Sequence, residues 1–342
     1  MEKEWSLLPD TSARAVEFSQ RIGTTPFTAA LLLHRGITSD EEARAFLHPE
    51  KQPFHDPFLM RDMEKAVSRI EQAIQAQERI VVYGDYDVDG ITATSLLCRN
   101  LRQLGANAGY FIPHRQKDGY GLHKETLDEI IAGGAGLIVT VDCGISAVEE
   151  AAAAKDKVDL IITDHHLPGQ ELPKALAVID PHRADCAYPD KNIAGVGVAF
   201  KLCQALWQKM RGKAFTGDLD IVALGTVADV VPLLGENRKI VQQGLRVLKK
   251  SKRPGIQALL AVTELQEKEI TAGHIGFVLA PRLNAAGRLA SALRGVELLL
   301  TEDGEEAQAI AEELDAANRE RQAVEQEILQ AAEKQIEEID VK

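Results

Sequence analysis

The sequence has few cysteines, few aromatic residues and no long apolar run, and each shortage removes a class of protein. Its four cysteines, Cys98, Cys143, Cys186 and Cys203, are widely spaced and form no CxxC pair. That pattern argues against a zinc ribbon, a dithiol redox motif and a disulfide framework, and it predicts reduced thiols. Phe, Trp and Tyr make up 5% of the 342 residues, so there is no obvious base-stacking platform of the kind that single-strand binders use. No stretch approaches the ~20 apolar residues of a membrane span. The N-terminus "MEKEWSLLPD" is acidic where a secretory signal would be basic. These features predict a cytoplasmic chain without membrane contact.

Positive charge is also short, with a formal net charge of -13. Most of the imbalance is local: Glu302 to Lys342 holds 14 acidic and 4 basic residues, which leaves 38 acidic and 35 basic residues in the rest. The body is nearly neutral, so a polyanionic partner such as nucleic acid is not excluded.

What is present is a globular composition, 45% hydrophobic, enough for one large domain or two ordinary ones. Residues 1–78 read as an N-terminal helical cap, where "TPFTAALLLHRGI" and "SDEEARAFLHP" each carry a capping residue, an apolar stripe and a Gly or Pro stop. From Arg79 the pattern changes. The short runs "RIVVYG", "AGYFIP", "LIVTVD", "DLIITD" and "LAVID" are strand-like and alternate with helical stretches at 91–104, 123–132, 146–155 and 196–211. This predicts an α/β fold, a parallel sheet with helices on both faces, continuing through helices near 218–228 and 236–250 to about residue 300. Residues 301–342 read as one long acidic helix, too long for an ordinary globular helix and expected to connect to a further domain.

Acidic residues or histidines follow four of the five strands. Asp85, Asp87 and Asp89 come after "RIVVYG", Asp142 after "LIVTV", Asp164, His165 and His166 after "LIIT", and Asp180 after "LAVI". Ligands in open α/β sheets bind beyond the carboxyl ends of the strands, and like charges gathered there repel unless cations sit among them. A calcium loop, suggested by D-x-D-x-D-G, fails because its twelfth position is Leu96 and a strand precedes it. Helix capping by single Asp residues stays open for Asp180 and is a poor account of the triple cluster, since one cap per helix suffices. Mixed carboxylate and imidazole ligands suit Mn²⁺ better than Mg²⁺, which is the alternative. The number of acids points to two ions, an arrangement suited to phosphate-ester hydrolysis.

At "DYDVDG", "VDCG" and "TDHH", in this order, the chain resembles the DHH phosphoesterase family. With "VIDPHRADCAYP", "AGVGVAFKL", "ALGTVADVVPL" and "PRLNAAGRL" it is similar, over about residues 20 to 320, to that family's single-stranded-DNA-specific 5′→3′ exonucleases. The resemblance implies that Asp87 and Asp89 each hold a metal, that Asp142 bridges two ions, that His165 completes one shell, that Asp229 is a further ligand and that Asp85 lies at the rim of the first site. It also implies that His166 faces the scissile phosphate, with Asp164 orienting a neighbouring histidine. Single-stranded DNA is the implied substrate, 5′-mononucleotides the product, recombination and repair the setting, and a single-strand-binding protein a candidate partner. Family members carry a second domain after the connecting helix, with a glycine-rich "GGH" segment that is not visible in this sequence. Two other readings stay open: a phosphodiesterase of short oligonucleotides or cyclic dinucleotides, and a non-catalytic replication scaffold.

Arg115, with His114, Lys117 and His123, forms a basic cluster near the same sheet edge. A phosphate contact and a solvated loop both account for it, and the resemblance favours the contact. In "PRLNAAGRL", Arg282, Asn284 and Arg288 are candidate substrate contacts, with internal pairing to an acid the alternative for Arg282. The glycines of "AGVGVAF", Gly195 and Gly197, suit close helix packing better than anion binding. Cys143 has no basic partner in view and is not expected to be a nucleophile.

Overall fold

The computed structural model describes residues 11–114, 119, 121–289 and 292–338, the side chains of 286–289, 337 and 338 excepted. Three short helices come first among the described residues: α1 (Ser12–Ile22), α2 (Pro26–His34) and α3 (Asp40–Leu47). The starts of α2 and α3 are those expected. Thr25 accepts from the Thr28 N–H at 3.1 Å with Pro26 in the first turn, and Ser39 and Glu42 form a reciprocal capping box. These helices share a small core of their own around Phe18 and Leu32.

The next helix, α4 (Met63–Gln75), instead joins the main core through Met63, Ala66, Val67, Ile70 and Ala73. Packing therefore ties it to the sheet that follows, although in sequence it precedes the first strand.

That sheet has five parallel strands, β1 (Arg79–Gly84), β2 (Asn107–Phe111), β3 (Ala135–Val141), β4 (Asp159–Thr163) and β5 (Ala177–Ile179), in the order β2-β1-β3-β4-β5. Helices α5 (Val88–Gln103), α6 (Lys124–Ala132), α7 (Val148–Ala154) and α8 (Gly195–Arg211) lie among and after the strands. The β-branched runs look uniformly apolar because both faces are covered, yet the period of two persists. Ile80, Val82, Val139 and Ile161 face the core that holds α4 and α8, while Val81, Tyr83, Ile138 and Ile162 face the one containing Leu127 of α6 and Ala151 of α7.

A second, helical core follows the sheet. It contains residues of α9 (Leu219–Ala228), α10 (Gly235–Lys249), α11 (Pro254–Val262), a π-helical turn at Ile275–Leu279 between the single turn α12 (Ala272–His274) and α13 (Ala280–Leu289), then α14 (Leu293–Leu300) and α15 (Gly304–Glu338). Helix α15 runs for 35 residues. Its first half buries Ala307, Ile310, Ala311 and Leu314, while Val324, Ile328, Leu329 and Ile336 in its second half are exposed. Among the described residues no helix is long and apolar enough to cross a membrane.

Candidate metal centre

Strand register places the first part of the site. Gly84 pairs with Val141, Val141 with Thr163, and Thr163 with Ile179. The next residue on each strand is therefore Asp85, Asp142, Asp164 and Asp180, four acids in a row along the carboxyl edge of one parallel sheet. The strand order reverses direction between β1 and β3, which opens a crevice at that edge. Asp142 adopts a left-handed backbone conformation, φ 61°, as does Val230 directly after Asp229, φ 61°. Such strain in residues other than glycine persists only where the surroundings impose it, and it concentrates at functional sites.

Side chains from distant elements meet there. His165 Nε2 lies 3.1 Å from Asp142 Oδ1, 3.7 Å from Asp229 Oδ2 and 3.8 Å from Asp89 Oδ2. None of these contacts has hydrogen-bond geometry, and Asp142 Oδ1, His165 Nε2 and Asp229 Oδ2 are buried without a hydrogen-bond partner. Leaving one such group unsatisfied costs about 1–3 kcal/mol, more if it is charged, so unsatisfied carboxylate oxygens on either side of an unsatisfied imidazole nitrogen fit a site for cations. Three groups of ligand atoms, each within 4.8 Å of one another, overlap: Asp89, His165 and Asp229; Asp85, Asp87 and Asp142; and Asp142, His165 and His166. Asp142 and His165 each belong to two of them. Asp85 is 2% exposed and belongs to the ligand group with Asp87 and Asp142.

Local structure holds each donor. Asp87 accepts from the Gly90 N–H at 3.0 Å and caps α5, so it performs the capping role as well as lying in the cluster. Asp89 accepts from the N–H groups of Gly195 and Val196 at 2.7 and 2.8 Å. The start of α8 does bind an anion, and that anion is the chain's own carboxylate. Gly195 and Gly225 are glycine for a steric reason: a methyl group on Gly195 would collide with the Asp142 carboxylate, and one on Gly225 with Thr92 and Asp89.

The electrostatics follow from crowding. Burial, then repulsion from Asp87, pushes the Asp89 carboxyl up to about 7. Burial, then repulsion from Asp89, takes Asp229 to about 7 as well. Burial and the charges of Asp89 and Asp87 raise Asp142 well above the usual range. His165 is pushed down, mainly by burial. His166 behaves oppositely. Its Nδ1 meets Asp164 Oδ1 at 2.7 Å, and that hydrogen bond lifts its pKa to about 9 against the opposing effect of burial. Burial pushes Asp164 up, but hydrogen bonds from His166 and from the Ile145 N–H outweigh it and keep the carboxyl low. An ion pair between Asp164 and His166 thus stands beside the crowded carboxylates.

The remaining expected residues divide. Asp180 accepts from the His182 N–H at 2.6 Å and belongs to none of the three ligand groups, so it serves a turn. Arg282 is engaged internally, with Asp315 at 2.8 Å and the Val278 carbonyl at 2.7 Å, which is the pairing alternative. Asn284 lines the cavity next to Asp87, Asp89 and Asp229, and its Oδ1 is buried without a partner. Arg115 and the side chain of Arg288 lie outside the described residues. Cys143 is fully buried, and burial raises its pKa well above the ordinary thiol value, which suits a packing residue. Sequence reasoning missed the backbone donors of Gly195 and Val196. The "AGVGVAF" glycines were the available signal, but their anion is another part of the chain.

Comparison with known proteins agrees with this geometry. Residues 79–226 match the family described as "DHH family, N-terminal domain". The single-stranded-DNA-specific exonuclease RecJ of Bacillus subtilis (strain 168) is 44% identical over 319 residues, covering 93% of this chain and 40% of that protein. A crystal structure of exonuclease RecJ bound to manganese matches with a TM-score of 0.75 and 38% identity, over 82% of this chain and 71% of that one. RecJ from Thermus thermophilus in complex with Mn²⁺ matches with a TM-score of 0.81 and 34% identity, over 95% of this chain and 46% of that one. The chain spans about half the length of the curated relatives it matches. Sheet order, site geometry and these likenesses agree: the chain belongs to the DHH family, on its RecJ branch.

Proposed function

We propose that the chain hydrolyses phosphodiester bonds of single-stranded DNA from the 5′ end, releasing 5′-mononucleotides with the help of two divalent ions, Mn²⁺ or alternatively Mg²⁺. The observation that carries this reading is the gathering around His165 Nε2, itself unpartnered, of the unpartnered Asp142 Oδ1 and Asp229 Oδ2, beside Asp89. Asp85, Asp87, Asp89, Asp142, His165 and Asp229 would hold the ions. Once bound, such ions supply positive charge for the scissile phosphate and the departing oxygen, and make water acidic enough to attack near neutral pH.

The protein's own groups set the rest. His166, kept protonated by Asp164, can donate a hydrogen bond to a phosphoryl oxygen as negative charge develops there. Asp164 is a positioning residue, since its oxygens accept from the His166 ring and from three backbone N–H groups, those of Ile145, His165 and His166, and so fix the ring. The N–H groups of Gly195 and Val196 orient Asp89, and the absence of a side chain at Gly195 leaves the space that the Asp142 carboxylate occupies. Asn284, Arg115 and Arg288 are the proposed contacts along the strand.

Residues 301–342 act in this reading as a connector, supported by the exposed apolar positions Val324, Ile328, Leu329 and Ile336 on α15. Work in recombination and repair, a cytoplasmic location and a single-strand-binding protein as partner follow from the same reading. The test is to supply Mn²⁺ with a long 5′-phosphorylated strand, a circular single strand and a dinucleotide. Mononucleotides from the linear strand, with the circle intact, are expected; cleavage of the dinucleotide alone would replace the polymer reading with a small-substrate one.

A further inference from the structure

The cavity beside the carboxylates, about 300 Å³, has a second wall, built from α13 and α15. Asn284 contributes one side chain to it and Arg321 another. Among the described residues, Arg321 is the only basic one that lines this cavity with Asp87, Asp89 and Asp229. A lone guanidinium near three carboxylates would be expected to pair with one of them. It pairs with none of the three. Its Nε and Nη2 donate to Asn318 Oδ1 at 3.3 and 3.1 Å, and its Nη1 donates to Glu325 at 3.0 Å.

The two partners differ in kind. Asn318 is 1% exposed and continues the helical stripe that buries Ala307, Ile310, Ala311 and Leu314, so it is a rigid acceptor behind the guanidinium. The Glu325 side chain is 69% exposed, and an i,i+4 ion pair in water is weak and easily exchanged. A guanidinium has five N–H donors in a flat fork that matches phosphate oxygens two at a time. Held by Asn318 and loosely by Glu325, Arg321 keeps donors for such a ligand.

We propose that Arg321 binds a backbone phosphate of the nucleic-acid strand and that Asn318 fixes its guanidinium for that contact, making α15 part of the substrate surface as well as a connector. This rests on the nuclease reading above. The rival account is purely structural: Arg321 and Glu325 staple one turn of α15 to the next and touch no substrate.

The experiment compares wild type, Arg321→Gln, Arg321→Lys and Glu325→Gln, each with its melting temperature, on a 5′-phosphorylated single strand with Mn²⁺ over a range of salt. Two readouts are taken, steady-state cleavage and anisotropy of the labelled strand. The expected result for Arg321→Gln is a KM raised about tenfold with kcat within about threefold. Its plot of log affinity against log salt should be shallower by about 0.7, the loss of one single-strand phosphate contact. Arg321→Lys should recover part of the affinity, and Glu325→Gln should bind as well as wild type or better. Unchanged affinity and salt slope in Arg321→Gln, or equal losses in Arg321→Gln and Glu325→Gln, would overturn the proposal in favour of the staple. A wild type that binds the strand through Arg321 yet makes no product would defeat the catalytic reading alone. A wild type that cleaves, with Arg321→Gln matching it, would defeat this inference alone.

Discussion

Asp89 and Asp229 hold their protons up to about pH 7 because they are buried beside other carboxylates. The sign of the consequence is fixed by linkage. A carboxyl whose pKa is raised on folding contributes stability below its unfolded value, and that contribution is lost as pH rises through the folded value. The metal-free protein should therefore melt at progressively lower temperature from about pH 5 to about pH 8 as these acids ionise against one another. A bound cation reverses the preference, so the rise in melting temperature on adding Mn²⁺ should be larger at pH 8 than at pH 6. Asp142→Asn should lose most of that metal-induced rise without lowering the metal-free melting temperature, since it removes a charge that repels its neighbours. A metal-free protein whose stability climbs between pH 5 and pH 8 would contradict this account. His166 offers a separate test. Asp164 keeps it protonated to about pH 9, and nearby cations can only lower that limit. The alkaline fall in rate should come at or below pH 9 in wild type and shift to lower pH in Asp164→Asn, with rate followed against pH at saturating Mn²⁺. An unshifted profile would remove His166 from the phosphate.

At the level of elements, the site depends on how tightly α8 approaches the start of α5 and the carboxyl end of β3. Gly195 gives its N–H to Asp89 and leaves no room for a side chain against Asp142. Gly195→Ala should push the helix start away, loosen both carboxylates and cost about 1–3 kcal/mol of stability through overpacking. Metal affinity should fall by more than tenfold, read by calorimetry, whereas Gly304→Ala, in open space at the start of α15, should change neither quantity much. Equal metal affinity in Gly195→Ala and wild type would show that the close approach is unimportant. Much of this arrangement was legible beforehand. The β-branched runs fell on the five strands, and the acids placed after β1, β3, β4 and β5 form the row that the register creates. Other parts were hidden for a physical reason. Asp89 and its donor Gly195 are 106 residues apart, and no local periodicity announces such a contact. Asp229 follows a helix and not a strand, so strand-end logic passed over it and only the family pattern drew attention to it. Arg282 was readable either as a substrate contact or as an internal pair, and only the position of Asp315 on α15 separates the two.

Across the whole molecule, negative charge is distributed unevenly. The acidic excess is concentrated in α15 and its flanks, while the sheet body is close to balanced. Net charge of -13 thus says little about the site, where the local problem is a surplus of buried carboxylates that His165 and His166 cannot neutralise. The fold gathers those carboxylates from four places: the start of α5, the ends of β3 and β4, and the end of α9. Such convergence from distant segments is costly without cations and useful with them, which is the central claim of this account. Its most direct test is the number of Mn²⁺ ions that the purified chain binds at pH 8, measured by calorimetry and by electron paramagnetic resonance, with Asp142→Asn beside it. Two ions per wild-type chain with coupled spins, and loss of at least one ion together with the coupling in the variant, are predicted. Binding of no ion by wild type, or the same number and coupling in both proteins, would contradict it.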